Sequence, residues 1–362
     1  MDNSKKMRGQ LSYIDTLRTI VAIVGALLIV CVLVFFVSSD PLQAMEAFLT
    51  GPFSSLRRMG NVVETAIPLI FTGLAVMLLQ RSGFFNLAME GAFFIGSAIA
   101  AAVALTLPLA LPAGMILLIA SIAGALAGAI ICGIPALLQV KCQANVLVTS
   151  LMLNYICLHV GLFLITHFFQ DPSMNTNVSF PFPTGVEFIT MIPGTRINTG
   201  LIVVVVAIFL VWLLLNKTAY GFKVTMVGKN PIMAQYSGMK IGQLIITSSL
   251  IGGLLAGLGG AVDLLGMYPR FQYTGLTGYG WDGILVAIVA RHKAQYVPIA
   301  ALLLAYMRIG ADVMSIRSDV PAEMIMIIQA IIIVLISAQA ILGNYKKKLV
   351  IQEARISEQE VM

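Results

Sequence analysis

The sequence predicts an all-α protein that crosses a bilayer about ten times, and three observations predict it. Only 10% of the 362 residues are charged and 59% are hydrophobic, whereas soluble domains carry about 25% charged residues. The mean hydropathy is +0.95. Apolar runs of roughly the 20 residues that a spanning helix needs recur along the chain, bounded by charges or by Pro and Gly.

Taken in order, the runs fall at 19–37, 62–80, 84–107, 112–138, 145–168, 200–216, 243–266, 279–290, 296–312 and 321–340. The first follows Lys5, Lys6 and Arg8, as a secretion signal would. It is long for a signal core and ends in Val37-Ser38-Ser39, a poor cleavage site, so it reads as a retained helix. The eighth is too short to span alone. Either the stretch Gly275–Gly280 extends it or it is a broken helix, which leaves nine or eight as the lower counts. With the N-terminus inside and ten spans, 16 Lys and Arg lie in inner segments and 6 in outer ones. That bias favours an even count with both ends inside. The resulting division is an N-terminal tail, 1–18, one transmembrane domain, 19–342, and a C-terminal tail, 343–362. An outer loop, 169–199, reads equally as a cap that meets a partner or as a plain connector. An inner loop, 217–242, carries four lysines.

Several function classes are excluded by the same reading. The net charge of +6 is spread over short loops and marks topology, not nucleic-acid binding. Cys31, Cys132, Cys142 and Cys157 lie in or beside apolar runs without metal or disulfide spacing. His159, His167 and His292 have no carboxylate or cysteine at ligand spacing, so no metal and no catalytic group is assigned. Gly228-Lys229 is followed by Asn230, where a phosphate loop needs Ser or Thr. The chain is therefore expected to bind no cofactor and to be no enzyme; any ATP would be bound by another chain.

Two segments stand out within the spans. Gly83-Phe-Phe-Asn-Leu-Ala-Met-Glu-Gly91 opens the third and Gly278-Tyr-Gly-Trp-Asp-Gly283 opens the eighth. Each sets Gly and an acid-Gly pair before small apolar residues, in opposite predicted directions. Such matching interruptions suggest an inverted repeat of helices 2–5 and 7–10 and point to a transport pathway. Glu90 and Asp282 sit near helix starts, where each either caps backbone amides or contacts substrate. Asn154 either bonds between helices or lines the cavity. Asp263, Arg308 and Glu323 read as interfacial or ion-pair groups. Gly252, Gly253, Gly257, Gly259 and Gly260, with Gly124 and Gly128, allow close helix packing.

Four stretches resemble a known family. They are Phe85-Asn86-Leu-Ala-Met-Glu90-Gly91, Asn145-Val-Leu-Val-Thr149-Ser-Leu-Met152-Leu-Asn154-Tyr155, Gly228-Lys-Asn230-Pro231-Ile-Met-Ala234-Gln-Tyr-Ser-Gly238 and Gly278-Tyr279-Gly280-Trp281-Asp282-Gly283. Together they are similar to the permease subunits of bacterial ABC importers of the branched-chain amino acid, ribose and nucleoside group, and most similar to the nucleoside or simple-sugar branch. The likeness covers about Asn61 to Ala338. It implies a plasma-membrane subunit that works by alternating access with an ABC ATPase subunit, a second homologous permease (a heterodimer) and an extracytoplasmic substrate-binding lipoprotein. It also implies that Gly228, Asn230, Pro231, Ala234 and Gly238 belong to a coupling helix that docks on the ATPase. Position agrees, because Pro231 suits a first helical turn and Gly238 a left-handed end. The alternative for that helix is an interfacial element on anionic lipid. Trp281, where the family has Phe, and Arg291-His292-Lys293 depart from the pattern.

The expected pathway residues are Asn86, Glu90, Gly91, Asn154, Tyr279, Trp281 and Asp282, whose amides and rings suit a planar base or a sugar. A stand-alone ion-coupled secondary transporter is the alternative; it needs several acids in one cavity, and Glu90 and Asp282 are the candidates. A membrane-embedded enzyme lacks any nucleophile–base grouping.

Overall fold

The computed structural model describes residues 34–35 and 38–320, apart from Leu109 and Asn175. Its α-helices are α1 (Pro41–Thr50), α2 (Leu56–Arg81), α3 (Met89–Thr106), α4 (Ala113–Cys142), α5 (Val146–Phe168), α6 (Gly200–Lys217), α7 (Ala219–Lys229), α8 (Pro231–Tyr236), α9 (Ile241–Met267), α10 (Tyr279–Val289) and α11 (Val297–Arg317). Among the described residues there is no strand, only two isolated β-bridges in the 169–199 segment. Seven described helices are long and apolar enough to cross a membrane. They answer to the second to seventh and the ninth expected runs. The first and tenth runs, and with them Arg18, Cys31 and Glu323, lie outside the described residues.

The eighth run is the broken helix. At 11 residues and about 1.5 Å per residue it reaches only about 17 Å, roughly half of a hydrocarbon core. The third is also shorter than expected. Phe84 to Leu87 are non-helical, and helix begins only at Met89. The lysine-rich inner segment 217–242 holds, besides the short helix expected from Asn230 to Gly238, a further helix over Ala219–Lys229. Its signal was local: Thr218 caps it by accepting from the Gly221 N–H, and no apolar run marks it.

The chain forms two compact units. In the first, 1–54 with 306–362, the Asp40 side chain caps α1 by accepting from the Gln43 N–H. Asp319 accepts from the Ser38 hydroxyl at 2.5 Å and the Ser39 N–H at 2.8 Å. Tyr306 donates to the Leu49 carbonyl.

The second unit, 55–305, is built around α9, which packs on α4, α3 and α2; α3 packs on α5, and α10 on α2. The glycines are what bring these axes together. A Cβ on Gly96 would lie 2.6 Å from the Gly257 Cα, and one on Gly257 would lie 2.9 Å from the Gly128 Cα. Backbones therefore touch, as small residues permit in lipid. The exposed residues of α4 (Leu118, Ile122, Leu126, Ile130) and of α6 (Ile202, Val205, Phe209, Leu210) are apolar and suit lipid tails. The 169–199 segment is folded onto the end of α9 and the chain beyond it. Phe188 N–H donates to the Leu265 carbonyl at 3.2 Å, Phe182 N–H to Pro269 at 2.9 Å, and Ser179 N–H to Phe271 at 3.0 Å.

Candidate functional site: a junction of broken helices and a surface knob

The chain before α3 cannot continue the helix of α2. Gly83 takes φ +73°, a left-handed value that a side chain resists. The non-helical residues that follow leave polar backbone inside the bundle, which must find partners. Asn86 donates to the Cys132 carbonyl of α4 at 3.0 Å and accepts from the Ala88 N–H at 2.9 Å. Asn154 of α5 accepts from the Gly91 N–H at 2.9 Å and donates to the Leu87 carbonyl at 3.0 Å. The Ser150 hydroxyl accepts from the Leu87 N–H at 3.2 Å. Gly91 has no room for a side chain, since a Cβ would lie 2.8 Å from the Asn154 Oδ1.

Glu90, only 1% exposed, turns away from its own helix. Its Oε1 accepts from the Gly278 N–H at 2.6 Å and the Thr277 hydroxyl at 3.2 Å, and its Oε2 accepts from the Gly280 N–H at 2.6 Å. The acid of α3 thus caps α10. A carboxylate is well placed there, because free amides and the helix dipole converge on an N-terminus. Gly278 makes the approach possible with φ +82°. A Cβ on Gly280 would lie 2.5 Å from the Glu90 N. Phe93 meets the Tyr279 ring at 5.3 Å.

The polar atoms of Asn86, Glu90 and Asn154 are thereby occupied by backbone. Tyr279 and Asp282 are part exposed, and Trp281 is 42% exposed. Thr277 and Ser150 were missed by sequence reasoning. Asp263, expected as an interfacial or ion-pair group, is buried and accepts from the Tyr273 hydroxyl at 2.5 Å.

The second feature is α8. Asn230 caps it by accepting from the Met233 N–H at 3.0 Å, Pro231 fills the first turn, and Gly238 leaves it at φ +77°. Ala234 is buried against Val224, Val227 and Leu244, which fixes the knob. Ile232, Met233 and Tyr236, the last 89% exposed, point outward. Beyond α10, Arg291 and His292 take left-handed conformations in a tight turn. Burial, and next the charge of Arg81, hold the His292 imidazole below its usual range.

The family described as "Branched-chain amino acid transport system / permease component" matches residues 58–337. The chain belongs to that permease family. It is 33% identical to the guanosine ABC transporter permease protein NupP of Bacillus subtilis, over 84% of this chain and 88% of that one. It is 29% identical to the glucose ABC transporter permease protein TsgB13 of Haloferax volcanii, over 90% and 88%. The nucleoside ABC transporter permease protein NupB of Lactococcus lactis is 27% identical, over 89% and 91%. No solved structure matches the chain. As a member of this family the chain is a multi-pass membrane subunit of an ABC importer.

Proposed function

We propose that this permease carries a nucleoside or a related sugar, by alternating access, with separate ATPase subunits driving it. The observation that carries the reading is the knob α8. It is a short helix capped at one end, glycine-terminated at the other, locked through Ala234 and exposing Ile232, Met233 and Tyr236. Gly228, Asn230, Pro231, Ala234 and Gly238 build it, and it is the docking point for the ATPase. The cargo reading rests on the guanosine, nucleoside and glucose permeases among the relatives. The exposed Trp281 and the part-exposed Tyr279 and Asp282 offer the rings and polar group that would meet a base or a sugar on its way, with Asn86, Glu90, Gly91 and Asn154 as the buried frame that holds them.

The topology we propose has ten crossings, both ends inside, and an inverted repeat of helices 2–5 and 7–10. The support is that two interrupted helices, α3 and α10, start at one junction. The tails 1–18 and 343–362 flank the transmembrane domain. A second, homologous permease is proposed beside α5. That helix exposes Tyr155 and His159 near its middle, and polar side chains there seldom face lipid. An extracytoplasmic binding lipoprotein would deliver the cargo.

The test is uptake of labelled nucleosides and sugars by cells carrying the whole importer, with Gly238→Val as the variant. A left-handed valine costs about 1–2 kcal/mol and distorts the knob, so uptake is expected to fall about tenfold or more with membrane levels unchanged. Normal uptake in this variant would remove the docking role.

A further inference from the structure

We infer that a backbone contact between Gly228 and the turn at Arg81–Gly83 is where movement of the knob enters the broken-helix junction. This inference rests on the docking reading of α8.

The contact is one of main chain on main chain. A Cβ on Gly228 would lie 2.9 Å from both the Arg81 carbonyl carbon and the Gly83 N, and one on Gly83 would lie 3.0 Å from the Gly228 Cα. No side chain intervenes to absorb a displacement by changing rotamer. On one side, Gly228 adjoins Val227, which packs with Ala234 of the knob. On the other, Gly83 opens the segment that ends in Glu90. That segment has little slack: Asn86 is tied to Cys132, Leu87 to Ser150 and Asn154, Gly91 to Asn154. Glu90 then holds the start of α10. A shift at α8 is thus passed through Val227, Gly228 and Gly83 to the segment that holds α10, the helix bearing Trp281. Packed networks of this kind transmit displacement when their parts are held in discrete arrangements.

The test uses the assembled importer in lipid nanodiscs, with Trp281→Cys introduced after the native cysteines are replaced. The rate at which a maleimide labels the introduced thiol is measured with and without ATP and vanadate. We expect a change of about fivefold or more in this parent protein. In complexes of Gly228→Ala that retain the ATPase subunit we expect that change to disappear. A retained change in Gly228→Ala overturns the inference. Hydrogen exchange on the unsubstituted importer covers the case in which Gly228→Ala fails to assemble. On ATP binding, the amides of 83–91 are expected to respond together with those of 228–238 and 278–283; if 83–91 stay unmoved while 278–283 respond, the link runs elsewhere and the inference fails. The docking reading is tested apart, by Ile232→Asp: if the ATPase subunit still co-purifies with this variant at the normal level, docking itself is wrong.

Discussion

Asn154 makes two hydrogen bonds that no apolar residue can replace. Its carbonyl oxygen takes the Gly91 N–H and its amide serves the Leu87 carbonyl. Asn154→Leu leaves both groups buried without a side-chain partner, at a cost of about 2 kcal/mol or more. Thermal unfolding of the detergent-solubilised protein should show the loss as a lower midpoint. Glu90→Gln is the sharper case. The carboxylate offers two acceptor oxygens to two backbone donors, whereas an amide turns one of them into a donor facing an N–H. Uptake in Glu90→Gln is expected to fall about tenfold or more with normal membrane levels, and Glu90→Asp to fail likewise because its shorter arm cannot reach both amides. The sequence showed that Glu90 sits near a helix start and that capping was one of its two roles. It did not show which helix. The donors lie 188 positions on, and no local pattern encodes a cap supplied from so far away.

Among the elements, the short α8 was legible because each of its ends carries a residue with a conformational reason to be there. Six residues form no stable helix alone. The knob therefore depends on its cap and on Ala234, and Asn230→Ala should cost about 1 kcal/mol locally. Faster hydrogen exchange at the Met233 and Ala234 amides would register it. The adjoining α7 was illegible for the opposite reason. Gly221 and Gly228 interrupt it, and Lys223 and Lys229 remove any apolar run, so tertiary contact rather than propensity makes it helical. The break at α10 was legible as a choice between two readings, a longer span or an interrupted one. The 11 residues of Tyr279–Val289 decide it. The late start of α3 escaped because Phe84 to Leu87 are as apolar as the helix they precede. Bonds of Asn86 and Leu87 to neighbouring helices stabilise the non-helical form there.

At the scale of the whole molecule, composition alone identified a membrane protein, since it reports on the solvent that the surface must meet. The side on which each loop lies rests on the count of Lys and Arg. A single cysteine at Gln235 is expected to react with a membrane-impermeant maleimide only from the inside of sealed vesicles, and one at Met191 only from the outside; labelling of both from one side would refute the ten-crossing arrangement. The proposed inverted repeat rests on few matching residues, because helix packing in lipid demands small or apolar side chains and little identity. The bridge from Glu90 to α10 also bears on how the protein is made. Ribosomes add about 5–20 residues per second, and 188 residues separate Glu90 from Gly278. The carboxylate of α3 therefore enters the membrane roughly 10–40 s before its own donors have been synthesised. Through that interval it must be held by water, by the insertion machinery or by a surrogate partner.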